Sequence, residues 1–368
     1  EKLSYYKADL NFKLGNFEQA IALAKKQLPK STDEEVSELS KIIGESYFNL
    51  KKYNEAIPYL KDYKGKKGKW NNTDYYQLGY AYYKQNQINL AISEFNKIIS
   101  GHNFVTQNAY YHLGECYIKV NKKQEALNAF KNASEMTFDE NIRLDAAFNY
   151  AKISYDIGNP YLSVPQVLNN FLESYPKSKY AKDIEPLLID SYITSKNYKE
   201  ALILLKDKKS DAYETAYQKV AFYRGVELFN NNKYIEAKSL FENAIKTPKT
   251  LSFTTKAKYW KAEAEYQLNH FNEALKGFNE VKSLAKESYK NIDYNLAYCY
   301  FKLKNYNEAS ILFKNYLTNN NEDQLRANDA YLRIADGYFV NTDYEQAILN
   351  YDNALKIGLI DKDYASFQ

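Results

Sequence analysis

A chain of 368 residues with 45% apolar and 16% aromatic side chains carries too much to bury for a disordered segment. Its 50 Lys and Arg against 46 Asp and Glu leave a net charge of +4, too even a balance for a generic pull toward nucleic acid or anionic membrane. No apolar run approaches the roughly 18 residues that span a bilayer, and two cysteines indicate neither a disulfide framework nor a zinc site.

From the N-terminus the chain reads as amphipathic helices taken two at a time. Repeat one (about 1–34) turns at Gly15-Asn16-Phe17 and closes near Pro29. Repeat two (about 35–70) turns at Lys51-Lys52-Tyr53 and ends in Lys61, Lys64, Lys66, Lys67 and Lys69. That lysine run, interrupted by Gly65 and Gly68, reads as a solvated linker in preference to an anion site. Repeats three (about 71–105) and four (about 106–140) are the most regular. In Ala109–Ala133 two helices flank the polar turn Asn121-Lys122-Lys123; the first carries Gly114 and Tyr117, the second Ala126, Phe130 and Ala133. A glycine inside a helix costs about 1 kcal/mol relative to alanine, so Gly114 implies a neighbouring helix too close for any side chain.

Repeat five (about 141–178) departs most, with its turn at Gly158-Asn159-Pro160 and Pro165 in the first turn of its second helix. Pro160, Pro165, Pro176 and Pro186 make 158–186 a candidate irregularity, although each reads as standing at a helix start or end, where its missing N–H is harmless. Repeats six to ten (about 179–214, 215–250, 251–287, 288–323 and 324–359) return to regularity, and 360–368 open an eleventh. The sequence begins at Glu1 without methionine and stops inside that eleventh unit, which reads as a processed or excised fragment.

The recurrence is quantitative. The second-helix small site falls at Ala20, Ala56, Ala91, Ala126, Ser163, Ala201, Ala237, Ala274, Ala309 and Ala347, at intervals of 35 to 38 residues. Twelve residues before each stands the first-helix site: Ala8, Gly44, Gly79, Gly114, Ala151, Ile189, Gly225, Ala262, Ala297 and Ala335. Tyr47, Tyr82, Tyr117, Tyr192, Tyr300 and Tyr338 follow the first-helix site by three; Phe95, Phe130, Phe241, Phe278 and Phe313 follow the second by four. This pattern resembles the tetratricopeptide repeat, a 34-residue helix–turn–helix unit. The resemblance implies an all-α fold, a right-handed superhelical solenoid of about ten repeats in a single array over 1–368, in which each unit packs only on its neighbours. The stretch Phe171–Ala181, of the form F-x-x-x-Y-P-x-S-x-Y-A, is similar to linkers in outer-membrane-assembly lipoproteins and Tol–Pal-associated coordinator proteins, and Asn328–Phe339 looks like repeats of that group. In that linker Tyr175 would end one helix, Pro176 stop it, Ser178 cap the next and Tyr180-Ala181 begin it. These resemblances imply a bacterial cell-envelope setting, periplasmic or outer-membrane-associated, with a cytoplasmic location as the alternative.

The search for chemistry ends without an enzyme. Cys116 and Cys299 sit two residues after the small site, where other repeats have Ser46, Ala81, Ser191 and Ala264, so cysteine serves there as a small buried side chain. His102, His112 and His270 lie in three different contexts without metal-ligand spacing, and read as solvated or partly packed. No phosphate-binding glycine loop or nucleophile elbow occurs, and no catalytic, cofactor-binding or metal-binding residue is expected.

In the family the pattern resembles, the first helix of each repeat lines a concave groove. The face three before, one after and four after the small residue holds Tyr5, Phe12, Phe48, Tyr76, Tyr80, Tyr83, Tyr111, Phe148 and Tyr155, then Phe222, Phe229, Tyr259, Tyr266, Tyr294, Tyr298, Phe301 and Phe339. The one-after site is acidic at Asp9, Glu45, Glu115, Asp190, Glu263 and Asp336. Aromatic ladders interleaved with carboxylates suit an extended or helical peptide with apolar anchors and some Lys or Arg. A chaperone-tail clamp is not expected, because only Lys41 occurs at the three-before site and Glu45 follows it. The expected function is thus a non-catalytic scaffold that binds a protein or peptide partner, with no nucleic acid and no transmembrane segment, any membrane association being indirect. The alternatives are the recruitment arm of a larger enzyme or regulator, and a glycan-binding module.

Overall fold

The computed structural model describes residues 2–98, 100–285, 288–319 and 322–368. Among them 21 α-helices form and no strand, apart from an isolated bridge between Lys66 and Lys69. The chain divides into two compact units, residues 1–191 and 192–368. In the first, α1 (Lys2–Lys13) pairs with α2 (Phe17–Gln27), α3 (Asp33–Asn49) with α4 (Tyr53–Asp62), and α5 (Asn72–Lys84) with α6 (Ile88–Phe95). There too α7 (Phe104–Lys119) pairs with α8 (Lys123–Glu135) and α9 (Glu140–Ile157) with α10 (Val164–Ser174). α11 (Ala181–Thr194) carries the division, and the second unit continues with α12 (Tyr198–Leu205). There α13 (Asp211–Asn230) pairs with α14 (Tyr234–Lys246), and α15 (Leu251–Gln267) with α16 (Phe271–Ala285). The remaining pairs are α17 (Ile292–Lys302) with α18 (Tyr306–Asn319) and α19 (Gln324–Val340) with α20 (Tyr344–Ile357); α21 (Lys362–Phe367) packs on α20. Within each unit the second helix of one hairpin also packs on the first helix of the next, as α2 on α3 and α14 on α15 do. The architecture is that of tetratricopeptide-type helical hairpins in series, as expected.

One backbone device makes the hairpins alike. Seven residues after the small site the chain enters the left-handed region, at Lys51, Asn86, Asn121, Lys196, Asn232, Asn269, Lys304 and Thr342, with φ between 57° and 64°, and at Gly15 with φ 80°. The next residue's N–H then reaches back five places, as Lys52 N–H does to the Tyr47 carbonyl at 2.9 Å and Asp343 N–H to Tyr338 at 2.9 Å. This is the Schellman ending, which satisfies carbonyls that a helix C-terminus leaves unpaired.

The first-helix glycines are explained by the second-helix ring. A Cβ on Gly79 would lie 2.9 Å from Phe95, on Gly114 2.8 Å from Phe130, and on Gly225 2.6 Å from Phe241; on Gly44 it would lie 2.9 Å from Leu60. Each contact spans sixteen residues, so the glycine faces the large residue one turn beyond the small alanine. Phe95, Phe130, Phe241, Phe278 and Phe313 are buried at 0–1% exposure, each contributing up to about 3 kcal/mol. Ala20, Ala56, Ala91, Ala126, Ala201, Ala237 and Ala274 are fully buried.

Repeat five corrects the expected register. Residues 158–163 are not helical, and Ser163 is the exposed N-cap of α10, forming a capping box with Gln166. Val167 and Phe171, one helical turn later, are the buried residues, and Phe171 meets Phe148 at 6.3 Å between ring centroids. The second helix therefore runs four residues late, and Ser163 is not a packing site. Pro165 lies in the first turn of α10, whereas Pro58 and Pro186 lie inside α4 and α11 and not at helix ends. In the linker, Tyr175 caps α10, but the buried Ser178 hydroxyl has no hydrogen-bond partner among the described residues, so it is not the expected cap. Tyr180 anchors the segment instead: its ring stacks on Phe148 at 3.9 Å and its hydroxyl donates to Asp145 at 2.6 Å.

Candidate partner-binding surface

The singled-out rings stand on the first helices, and the structure gives most of them a duty within their own repeat. The ring three before the small site packs on the second-helix aromatic: Tyr76 on Phe95 at 5.9 Å, Tyr111 on Phe130 at 5.8 Å, Tyr259 on Phe278 at 5.7 Å and Tyr294 on Phe313 at 5.6 Å between centroids. The ring four after braces the first residue of the second helix: Phe12 on Phe17, Phe48 on Tyr53, Phe229 on Tyr234, Tyr266 on Phe271, Phe301 on Tyr306 and Phe339 on Tyr344, at 5.1–5.9 Å. Aromatic residues at those second-helix starts were visible in the sequence and could have revealed this pairing. What remains for a partner is the outer edge of half-buried rings. Phe222 is withdrawn from the surface, 6% exposed between Phe241 and Phe253. Phe339 is the opposite case, 41% exposed. Tyr5 leans edge-on against Tyr6 at 5.6 Å.

The acidic sites also prove to be engaged. Asp9 pairs with Lys13 at 2.6 Å, Glu115 with His112 at 2.7 Å, and Asp336 with Arg333 at 2.6 Å while accepting from Tyr351 and Tyr364. Asp190 accepts from Tyr155 at 2.7 Å; that bond and burial push the Tyr155 hydroxyl up to about 12. Glu45 stands 3.9 Å from Lys41, whose ammonium also lies 3.6 Å from Asp74 and 4.7 Å over the Tyr63 ring. The six carboxylates are therefore not free: Asp9, Glu45 and Asp336 stand beside a lysine or arginine, Glu115 meets His112, and Asp190 and Glu263 accept from neutral groups.

In the first unit, Tyr76, Tyr80, Tyr83 and Tyr111 converge on His112, which sits 5.0 Å from Tyr80 and 5.3 Å from both Tyr83 and Tyr111. Phe48 joins through Tyr80 at 5.7 Å, and Lys119 lies 4.4 Å over Tyr83. His112, two places before Gly114, is thus a member of the ring cluster, a position outside the face expected from the sequence.

In the second unit, Tyr259, Tyr266, Tyr294 and Tyr298 line a cavity of about 310 Å³ together with Glu263, Asn295 and Arg326. Asn295, again two places before the small site, donates to Glu263. Burial raises the Glu263 carboxyl, opposed by hydrogen bonds from Tyr259 and Asn295 and by the charge of Arg326. Tyr294 and Tyr298 both donate to Asp329, at 2.7 Å from Tyr294, and Arg333 bridges Asp329 and Asp336. Tyr266 is pushed up to about 12, mainly by burial. The sequence places these four tyrosines on one face; the carboxylate and guanidinium network around them emerges only in three dimensions.

A third class of residue went unseen in the sequence. Seven places before the small site, a buried polar side chain ties down the linker to the next repeat. Gln107 donates to the Met136 carbonyl at 2.8 Å and accepts from Asp139 N–H at 2.7 Å. Gln218 accepts from Thr250 N–H at 2.8 Å, Asn328 from Leu359 N–H at 2.7 Å and Ser37 from Lys64 N–H at 3.0 Å. Cys116 and Cys299 are buried free thiols, pushed up to about 12 chiefly by burial, as small-residue packing anticipates. The lysines of 61–69 are exposed. Among the described residues no group of three or more His, Cys, Asp or Glu is placed to hold a metal ion, and no helix is long and apolar enough to cross a membrane.

These hairpins define the fold class, an all-helical series of tetratricopeptide-type hairpins. The tetratricopeptide-repeat family model matches residues 294–323, and the model described as anaphase-promoting complex, cyclosome, subunit 3 matches residues 66–133. Comparison with curated proteins gives no match. Among solved structures, the chain is similar to MamA at 22% identity, over 46% of this chain and 95% of that one, with a TM-score of 0.36. It is similar to YrrB, described as a tetratricopeptide-repeat protein with an unusual peptide-binding site, at 20% identity over 49% and 88%, TM-score 0.40. It is also similar to a chain of the APC/C hetero-tetramer Cut9–Hcn1 at 12% identity over 98% and 94%, TM-score 0.37. The fold assignment rests on this chain's own helical pairing and on the two family models.

Proposed function

We propose that this chain is a non-catalytic interaction scaffold that holds protein partners on the first-helix faces of its repeats, in a bacterial cell-envelope complex. The observation that carries the reading is the pair of ring clusters, around His112 in one unit and around the Tyr259–Tyr298 cavity in the other. Both present edges of half-buried tyrosines beyond what their own hairpins consume. Rigid aromatic edges with a polar tip are the side chains that anchor protein interfaces. The described likeness of YrrB, with its peptide-binding site, is in keeping with this. The envelope setting is supported by the Phe171–Ala181 linker pattern and the Asn328–Phe339 repeat pattern.

The test is site-specific photocross-linking, with the photoreactive residue placed at Tyr83 or Tyr266 and, as controls, at the exposed second-helix positions Ile203 and Ile235. Cross-links to one protein from the first-helix positions, recovered with the envelope fraction, support the scaffold and its setting. Cross-links confined to the controls discard the proposed face, and recovery with cytosolic proteins alone discards the envelope.

A further inference from the structure

The second-unit cavity has a charge arrangement that the first-unit cluster lacks. Four carboxylates, Glu263, Asp323, Asp329 and Asp336, stand near two guanidiniums, Arg326 and Arg333. Arg326 is held by Asp323 at 2.5 Å, and Arg333 is shared between Asp329 at 3.3 Å and Asp336 at 2.6 Å. Glu263 has no direct ion pair among the described residues: it accepts from the neutral Asn295 and Tyr259, and Arg326 on the same cavity wall acts on it only through its charge. A carboxylate withdrawn from water without a cation in direct contact is costly, and a second cation that reaches it is favoured.

We propose that this cavity takes the ammonium of a lysine side chain from a partner protein, an inference that rests on the scaffold reading above. The faces and edges of Tyr259, Tyr266, Tyr294 and Tyr298 form walls that attract a cation through their ring quadrupoles. The protein's own Arg326 demonstrates the preference, its guanidinium lying 5.7 Å over the Tyr294 ring at the cavity's edge. About 310 Å³ accommodates an unbranched aliphatic stem with its head group. Lysine is preferred to arginine because Asn295 already donates to Glu263 Oε1, which leaves the carboxylate a poorer match for a two-pronged guanidinium fork than for a single ammonium. An ammonium needs one free acceptor oxygen and is content with rings elsewhere.

The probes are four capped pentapeptides, Ala-Ala-X-Ala-Ala with X as Lys, Arg, norleucine or Glu. They are titrated into the full chain, and the tyrosine ring resonances are followed by NMR. The lysine peptide is expected to saturate shifts of Tyr259 and Tyr294 about tenfold more tightly than the norleucine peptide, and Glu263→Gln to erase that preference. Equal affinity for lysine and norleucine, a preference for Arg or Glu, or lysine selectivity that survives Glu263→Gln overturns the assignment. Arg326→Gln is the second variant; its partly exposed side chain makes folding failure a small concern. Removing the resident cation should tighten the lysine peptide by about threefold; unchanged or weaker binding counts against the site. Loss of lysine selectivity with partner cross-links intact at Tyr83 discards this cavity and leaves the scaffold standing. Lysine selectivity without any partner cross-link does the reverse.

Discussion

Replacing Gly225 with alanine sets two effects against one another. Helix propensity favours the alanine by about 1 kcal/mol. Against it, the new Cβ would lie 2.6 Å from Phe241 Cε1, 2.9 Å from Cδ1 and 3.1 Å from Cζ, whereas carbon atoms prefer about 3.5–4.0 Å. Phe241 is fully buried and backed by Phe222 at 6.2 Å, so its ring cannot swing into open space. Overpacking of this kind costs about 1–3 kcal/mol, leaving Gly225→Ala destabilised by about 1 kcal/mol net. Gly337, on α19 of the same unit, is the internal control. A Cβ there meets Tyr306 Cβ at 3.3 Å and Ser310 Oγ at 3.4 Å, a contact that small adjustments absorb, so Gly337→Ala should be neutral or up to about 1 kcal/mol more stable. Urea unfolding followed by helical circular dichroism measures both, with midpoints compared directly because stacked repeats can depart from two-state behaviour. Adding Phe241→Leu to Gly225→Ala should recover part of the loss relative to the single changes. The reasoning is refuted if Gly225→Ala is as stable as Gly337→Ala, or if Phe241→Leu shows no coupling to it.

Gln107→Leu should cost about 2–4 kcal/mol, because it strands the half-buried Asp139 N–H and Met136 carbonyl; a loss below about 1 kcal/mol in the same unfolding assay would show that water replaces the side chain. Ala309→Glu places a charge and added bulk at a site 2% exposed, and should destabilise by several kcal/mol, about 3 or more; a midpoint near that of the parent chain would contradict the close hairpin packing. Thr342 is a β-branched residue at φ 64°, so Thr342→Gly should raise stability by about 1 kcal/mol, read as a higher melting temperature. Burial would raise the Glu265 carboxyl, but hydrogen bonds from Lys238 and His270 outweigh it and hold the group below its ordinary 4.5. A depressed folded-state value means stability present above pH 4.5 and lost as pH falls through the lower folded-state value. Glu265→Gln should flatten that acid limb, and an unchanged limb would assign the loss to other carboxylates.

The groove residues show where sequence reasoning stops. Tyr76 and Tyr83 share a face by helical spacing, yet Tyr76 is a wall of its own hairpin against Phe95, so its loss costs stability as well as contact area. Tyr83 lacks a ring at the start of its second helix, Ile88 standing there, and turns toward His112 and Lys119. Phe222 occupies the same register as Tyr259 and is buried, because Phe253 covers it. No pattern of i, i+3 and i+4 distinguishes these three fates, since the deciding neighbour lies 19 to 36 residues away.

Periodicity by itself determined the paired helices, their 35–38-residue spacing, the small residues where they meet and the polar turns between them. Those are local properties: which side chains share a helix face, and which residues tolerate a left-handed turn, are set within one or two helical turns. Tertiary structure alone decided the four-residue delay in repeat five, the amides that bind the linkers, and the pairing of Glu263 with Asn295 in place of a direct ion pair. Each of these depends on which groups a neighbouring helix brings within hydrogen-bond or van der Waals reach, and that approach is not encoded in spacing along one helix.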